Sequence, residues 1–155
     1  MAARDPLPGQ RIIVASWIGN ALFAATAFPA AFGVDAMSGP AIAVSLGLFA
    51  ISLVVWGWAF AVALARTTRG DDVVVGSMFL VQGPVPRRVR LHLFGSLAVS
   101  LLITAVTAAG EPFGVLVPML PLGLAGLWGA RYGTFPPRRA PGAAERRRAS
   151  GRAGQ

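Results

Sequence analysis

The sequence contains no cysteine and no lysine, and His92 is its only histidine. Without cysteine the chain forms no disulfide, offers no thiol nucleophile and has no thiolate metal ligand. Without lysine it lacks the phosphate-binding lysine of a Walker loop and the amine of a Schiff base. A single histidine excludes an HExxH motif and every metal centre built from several histidines. We therefore predict no catalytic residue, no metal site and no cofactor.

Charged residues are also scarce, because they make up 13% of the 155 residues whereas hydrophobic residues make up 55%. An average soluble domain has about 25% charged residues. The apolar residues concentrate in four runs, each about long enough to cross a bilayer as a helix. Runs of this length leave no polar face for water, which excludes a soluble helical core. The sequence predicts an all-α integral membrane protein, an antiparallel four-helix transmembrane bundle with spans at 12–33, 41–65, 91–110 and 112–130.

The arginines are distributed asymmetrically about these spans. All fourteen basic residues precede the first span, lie between the second and the third, or follow the fourth. The other two connections carry only Asp35 and Glu111. Cytoplasmic loops of membrane proteins collect arginine and lysine. We therefore predict a multi-pass protein of a bacterial cytoplasmic membrane, with both termini and the 66–90 loop in the cytoplasm.

The same arginines indicate a partner. They flank membrane spans without interleaved aromatic residues or a DNA-binding helix pattern, so anionic lipid headgroups are expected and nucleic acid is not. Trp128 and Tyr132 end the fourth span, where aromatic side chains favour the headgroup boundary. The candidate lipid-binding residues are Arg66, Arg69, Arg87, Arg88, Arg90, Arg131, Arg138 and Arg139.

Outside the spans, the sequence predicts three segments of different character. Residues 1–11 form a short cytoplasmic lead, and residues 131–155 form a basic tail rich in proline, glycine and alanine that should be disordered. The inner loop 66–90 contains an apolar run at 73–81, which is too short to cross as a helix. We predict a short interfacial or re-entrant helix there, and its depth stays open.

The inner loop also contains a small cluster of chemically reactive residue types. Asp71 and Asp72 follow two arginines, and His92 lies in the next span. Paired carboxylates can hold a divalent cation, although a capping pair in a solvated turn explains the same residues more simply. The segments RGDDVVVGSMFL and QGPVPRRVR resemble the middle loop of uncharacterised small actinobacterial four-span membrane proteins. That resemblance covers this loop alone and implies no functional residue.

Small residues recur at every fourth position in three of the spans. Such stripes let another helix approach closely, either inside the bundle or from a partner protein. Asn20 is the only amide at membrane depth and would pin one helix contact. The candidate packing residues are Ser96, Ser100, Thr104 and Ala108 in span three, Gly57, Ala61 and Ala65 in span two, Ala125, Gly129 and Gly133 in span four, and Asn20 in span one.

Three classes of function follow from these features. The first is a non-enzymatic accessory or scaffold subunit that binds partner helices or a second copy through its small-residue faces. The alternative is a small channel or transporter, favoured by the hydroxyl stripe of span three and by Pro118 and Pro121, which break span four. The third is a lipid-modifying enzyme that uses Asp71 and Asp72. Since no ionisable side chain lies centrally in a span, proton-coupled transport is disfavoured.

Overall fold

The computed structural model describes residues 7–73, 75–79 and 85–136. Within these ranges the chain forms five α-helices, with short 3-10 turns at Asp35–Met37 and Pro112–Leu116. Residues 1–6, 74, 80–84 and 137–155 lie outside the described residues. Two of the predicted lipid-binding residues, Arg138 and Arg139, are among them. The helices are α1 (Gln10–Ala31), α2 (Ser38–Thr68), α3 (Val75–Phe79), α4 (Arg87–Thr107) and α5 (Met119–Tyr132).

Four helical segments are long and apolar enough to span a bilayer. They are Gln10–Ala31, Asp35–Thr68, Arg87–Thr107 and Pro112–Tyr132. These segments pack against one another as a bundle, which confirms the predicted all-α fold with four candidate membrane spans. The helices α2 and α4 continue past the apolar runs into the inner loop, so that α2 ends at Thr68 and α4 begins at Arg87, directly after Pro86.

The fourth span is broken, and its α-helical part is the shortest of the four. Residues Pro112–Leu116 form a 3-10 turn, and α5 begins only after Pro118. Proline lacks the amide hydrogen that an α-helix needs, so Pro118 explains the break, whereas Pro121 is accommodated in the first turn of α5 and, contrary to the prediction, does not interrupt the helix. Nevertheless α5 lies at the centre of the bundle, since ten of its fourteen residues are buried. By contrast, α2 is the most exposed span, with 22% of its most apolar window buried against 67% for Pro112–Tyr132.

The short helix α3 folds back against α5. A Cβ atom on Gly129 would clash with the carbonyl oxygen of Met78, and one on Gly126 would clash with the ring of Phe79. The two glycines therefore form a notch that receives α3, and Met78 is fully buried there. The Phe79 ring also packs 4.7 Å from the ring of Trp56. This part of the predicted interfacial or re-entrant segment is thus packed into the bundle.

Two sets of contacts define the ends of the bundle. The indole N–H of Trp128 donates to the carbonyl of Pro8, and Arg66 donates to the carbonyl of Ala130, which brings the start of α1 and the ends of α2 and α5 together. We call this the basic end. At the opposite end, Gly110 packs against the backbone of Ala31. Trp128 is buried inside the bundle, whereas Tyr132 is exposed.

Candidate functional site

A polar contact joins α1 to α4 inside the bundle. The side-chain amide of Asn20 donates to the carbonyl oxygen of Ser96 at 2.6 Å. One turn away, the hydroxyls of Ser16 and Ser96 are 2.8 Å apart. All three side chains are buried. Asn20 therefore contacts one neighbouring helix, and the start of the span-three stripe faces α1.

The rest of the span-three stripe also points largely inward. Ser100 is fully buried, and its hydroxyl has no hydrogen-bond partner among the described residues. The hydroxyl of Thr104 donates to the carbonyl of Gly114 and so ties α4 to the turn before α5. Ala108, directly after the helix, is exposed. In span four Ala125 and Gly129 are buried as well, with Gly129 against α3.

The predicted packing residues of α2 point the other way, out of the bundle, whereas other small residues of the same helix, such as Ala59 and Ala63, are buried. Gly57, Ala61 and Ala65 are all exposed, and a Cβ on Gly57 would meet nothing within 4 Å. The stripe continues toward the opposite end at spacings of three and four residues, which keep it on one helix face. We call this the α2 groove; its residues are Ala43, Gly47, Ala50, Val54, Gly57, Ala61 and Ala65, which are all exposed and, apart from Val54, all small.

Arg66 links the helices at the basic end through an ion pair and hydrogen bonds. Its Nε lies 2.8 Å from a carboxylate oxygen of Asp71, and its Nη1 donates to the carbonyls of Ala130 and Gly133 at 3.1 and 2.8 Å. The guanidinium also lies 4.8 Å from the ring centroid of Phe135. These contacts bind the end of α2 to the last carbonyl groups of α5, where a cation is favourable.

Beside this network lies an open cleft of about 1310 Å³ between α1, α2 and α5, which we call the basic cleft. Its inner wall is apolar, formed by Val14, Ala15 and Ile18 of α1 and by Val62 of α2. The mouth of the cleft carries four arginines and one aspartate, namely Arg11, Arg66, Arg69, Arg131 and Asp71. It is a mixed site with positive charge at one end and hydrocarbon at the other.

The residues of the predicted acidic cluster have separate partners. Asp71 pairs with Arg66, and the backbone amide of Asp72 donates to the carbonyl of Pro136. His92 lies against the ring of Trp17, with the two ring centroids 6.5 Å apart. Among the described residues no group of three histidine, aspartate or glutamate side chains is arranged to hold a metal ion.

Glu111 is buried, which the sequence did not predict. It is 1% exposed, and one carboxylate oxygen accepts the amide hydrogen of Gly114. The other oxygen has no partner among the described residues. The available signal was the spacing, since an acid followed by Pro112 and placed three residues before Gly114 is typical of a helix N-cap. A buried carboxylate thus lies at the opposite end of the bundle.

Comparison of the chain with protein-family models, with curated proteins and with solved structures finds no match.

The arginines at the start of α4 belong to a different surface from the basic cleft. Arg87, Arg88 and Arg90 are exposed. None of the three lines the basic cleft, although Arg87 and Arg90 border a second groove along α4. The arginines predicted from sequence as one lipid-binding set are therefore divided between the cleft and the outer surface of α4.

Proposed function

We propose that this protein is a non-enzymatic accessory or scaffold subunit of a membrane complex, and that the α2 groove is its docking face. The observation that carries the proposal is the outward orientation of Gly57, Ala61 and Ala65 on the most exposed span. Soluble cores form because water is excluded, but that driving force is absent between helices in lipid. Close backbone approach is the available alternative, and small exposed residues permit it.

The flanks of the α2 groove support this assignment. Large apolar side chains stand beside the small residues, including Leu46, Trp58 and Leu64, which are 43%, 56% and 66% exposed. A second helix lying in the groove would contact these side chains on both sides. The occupant we propose is a transmembrane helix of a partner protein or of a second copy of this chain.

The proposed setting is a bacterial cytoplasmic membrane, with the basic end of the bundle in the cytoplasm. Its support is the arginine distribution, because every described arginine lies at the basic end or at the start of α4. Basic residues beside a membrane are each attracted to anionic lipid by about 1 kcal/mol. The basic end would therefore rest on anionic headgroups.

The docking face is tested by crosslinking in native membranes, followed by extraction in mild detergent and identification of the crosslinked species. Gly57→Leu and Ala61→Leu fill the groove, and Ala105→Leu on the exposed face of α4 is the matched control. We expect the crosslinked fraction to fall about tenfold or more in the groove variants and to persist in the control. A free monomer in every preparation, with all membrane complexes intact after deletion, would contradict the proposal.

A second candidate, a small channel or transporter, is favoured by Glu111. The buried hydroxyls of α4 run from Ser96 through Ser100 to Thr107, and Glu111 follows one turn beyond. In this run only the hydroxyl of Ser100 and one oxygen of Glu111 have no partner among the described residues, and buried polar atoms without protein partners are usually satisfied by water. Ion flux into proteoliposomes discriminates between the two functions. A transporter loses flux in Glu111→Gln, whereas a scaffold conducts nothing before or after the substitution.

A further inference from the structure

The basic cleft combines an apolar wall with a positively charged mouth. Its apolar wall is open, since Val14 is 45% exposed and Ile18 is 61% exposed. Arg11 lies in the first turn of the same helix, and Ile18 lies seven residues further along, or about 10 Å at helical rise. A ligand that fills the cleft therefore meets arginine at one end and hydrocarbon about 10 Å away.

The positive charge at the mouth is only partly compensated. Asp71 is occupied by Arg66, which also donates to the carbonyls of α5. The guanidinium groups of Arg11 and Arg69 have neither a hydrogen bond nor a salt bridge to another described residue. Arg131 lies 6.0 Å from the ring centroid of Trp58, at the limit of a cation–π contact. Two arginines without a partner among the described residues thus line one opening.

The N-terminus of α1 adds to this field. Gly9, Gln10 and Arg11 line the cleft, and the first turn of α1 contains no acidic residue. The amide end of a helix carries partial positive charge and attracts anions. The mouth of the cleft is therefore suited to an anion, while its wall is suited to an acyl chain.

We propose that the basic cleft binds one anionic glycerophospholipid from the surrounding bilayer, with its phosphate between Arg11 and Arg69 and an acyl chain along Val14, Ile18 and Val62. The proposal rests on the membrane setting proposed above. A free phosphate would leave the apolar wall uncovered, and a neutral lipid would leave both arginines without a counter-charge. An anionic lipid satisfies both surfaces, and a bilayer supplies it at the required depth.

The test uses the full-length protein, purified in detergent and stripped of lipid. Phosphatidylglycerol or phosphatidylcholine is then added in mixed micelles, and bound lipid is counted by native mass spectrometry. We expect one tightly bound phosphatidylglycerol and weaker binding of phosphatidylcholine. Arg11→Gln and Arg69→Gln should each weaken phosphatidylglycerol binding roughly fivefold. Arg88→Gln removes the same charge at the start of α4, outside the cleft, and should leave binding within about twofold.

A second pair of variants tests the wall without changing charge. Ala15→Phe fills the cleft from α1, whereas Ala21→Phe places the same side chain on an exposed position of α1 outside the cleft. We expect Ala15→Phe to abolish the tightly bound lipid and Ala21→Phe to retain it. Matching helix content by circular dichroism shows that both variants are folded.

Three outcomes would overturn the proposed lipid site. They differ in whether they also contradict the proposed contact of the basic end with anionic lipid. An equal loss in all three arginine variants would indicate diffuse surface attraction, which leaves the proposed membrane setting intact. Full competition by inorganic phosphate, with no effect of Ala15→Phe, would indicate a free-anion site. No preference for phosphatidylglycerol in any form would reject both the cleft and the proposed contact of the basic end with anionic lipid.

Discussion

Asn20 and Arg66 both form hydrogen bonds between helices, but the two sets of bonds contribute differently to stability because their surroundings differ. Asn20 is buried within the predicted hydrocarbon depth and donates to one carbonyl, that of Ser96. Hydrogen bonds between membrane helices average only about 0.6 kcal/mol, because an unpaired group finds other partners. Arg66 is charged and bonds to a carboxylate and two carbonyls. The basic end therefore depends more on one arginine than the bundle interior depends on its amide.

We predict that Arg66→Gln destabilises the protein by about 1–3 kcal/mol. Hydrogen bonds to charged groups contribute about 1.5–3 kcal/mol, and the partial exposure of Arg66 reduces that value. The substitution removes the donor to Ala130 and Gly133 and leaves Asp71 without its ion pair. The free energy of unfolding is measured by titrating mixed micelles with denaturing detergent, with tryptophan fluorescence as the readout.

The matched control for Arg66 is Arg88→Gln. Arg88 is exposed and has no hydrogen bond or salt bridge to another described residue. A change of charge alone should alter the free energy of unfolding by no more than about 0.5 kcal/mol. If the two variants lost the same stability, the contacts of Arg66 would not hold the basic end together.

At the scale of the helices, the packing of α3 against α5 depends on Gly126 and Gly129. The carbonyl of Met78 occupies the space where a Cβ on Gly129 would stand, and this atom belongs to backbone that cannot rotate away. The ring of Phe79 occupies the corresponding space at Gly126. Because α3 has only five residues, its position depends on this notch and on the packing of Phe79 against Trp56 and Phe60 of α2.

We predict that Gly129→Ala displaces α3 from α5 and destabilises the protein by about 1–3 kcal/mol, the usual range for overpacking. The displaced segment should become sensitive to chymotrypsin at Phe79, which is half-buried against Trp56 in the native protein. Gly95→Ala is the control, since a Cβ there would meet nothing within 4 Å. Resistance of Gly129→Ala to the protease would mean that α3 does not need the notch.

The sequence predicts the helices better than it predicts how they pack against one another. Four long apolar runs suffice for four helices, since each run is apolar on every face. The proline at 118 also predicts the break before α5. The notch for α3 was not predictable, because Gly126 and Gly129 are ordinary small residues until the partner backbone is known. Equally, the sequence shows three small-residue stripes, and only their packing distinguishes the exposed α2 groove from the buried stripes of α4 and α5.

Glu111 shows the same limit at a single position. In the sequence it is the single residue between the predicted spans 91–110 and 112–130, where exposure to water is the natural expectation. Its burial depends on the 3-10 turn at Pro112–Leu116, which brings the amide of Gly114 to the carboxylate. Long-range packing and turn geometry, rather than composition, determine which polar residues enter the interior.

For the whole molecule, the two ends of the described chain lie together. Trp128 contacts Pro8, and the amide of Asp72 donates to Pro136, so the lead, the inner loop and the start of the tail meet at the basic end. One measurement of sidedness therefore orients every span. The positive-inside rule predicts that this end is cytoplasmic.

The absence of cysteine makes that prediction directly testable. Ser38 and Thr68 begin and end α2, and both are exposed. The 31 residues of this helix separate its ends by about 46 Å at helical rise, more than the hydrocarbon thickness. In spheroplasts, a membrane-impermeant maleimide should label Ser38→Cys at once and Thr68→Cys only after permeabilisation. The cysteine-free parent gives the background. Labelling of Thr68→Cys in sealed spheroplasts, with Ser38→Cys protected, would invert the orientation and place both the basic cleft and its arginines in the outer leaflet.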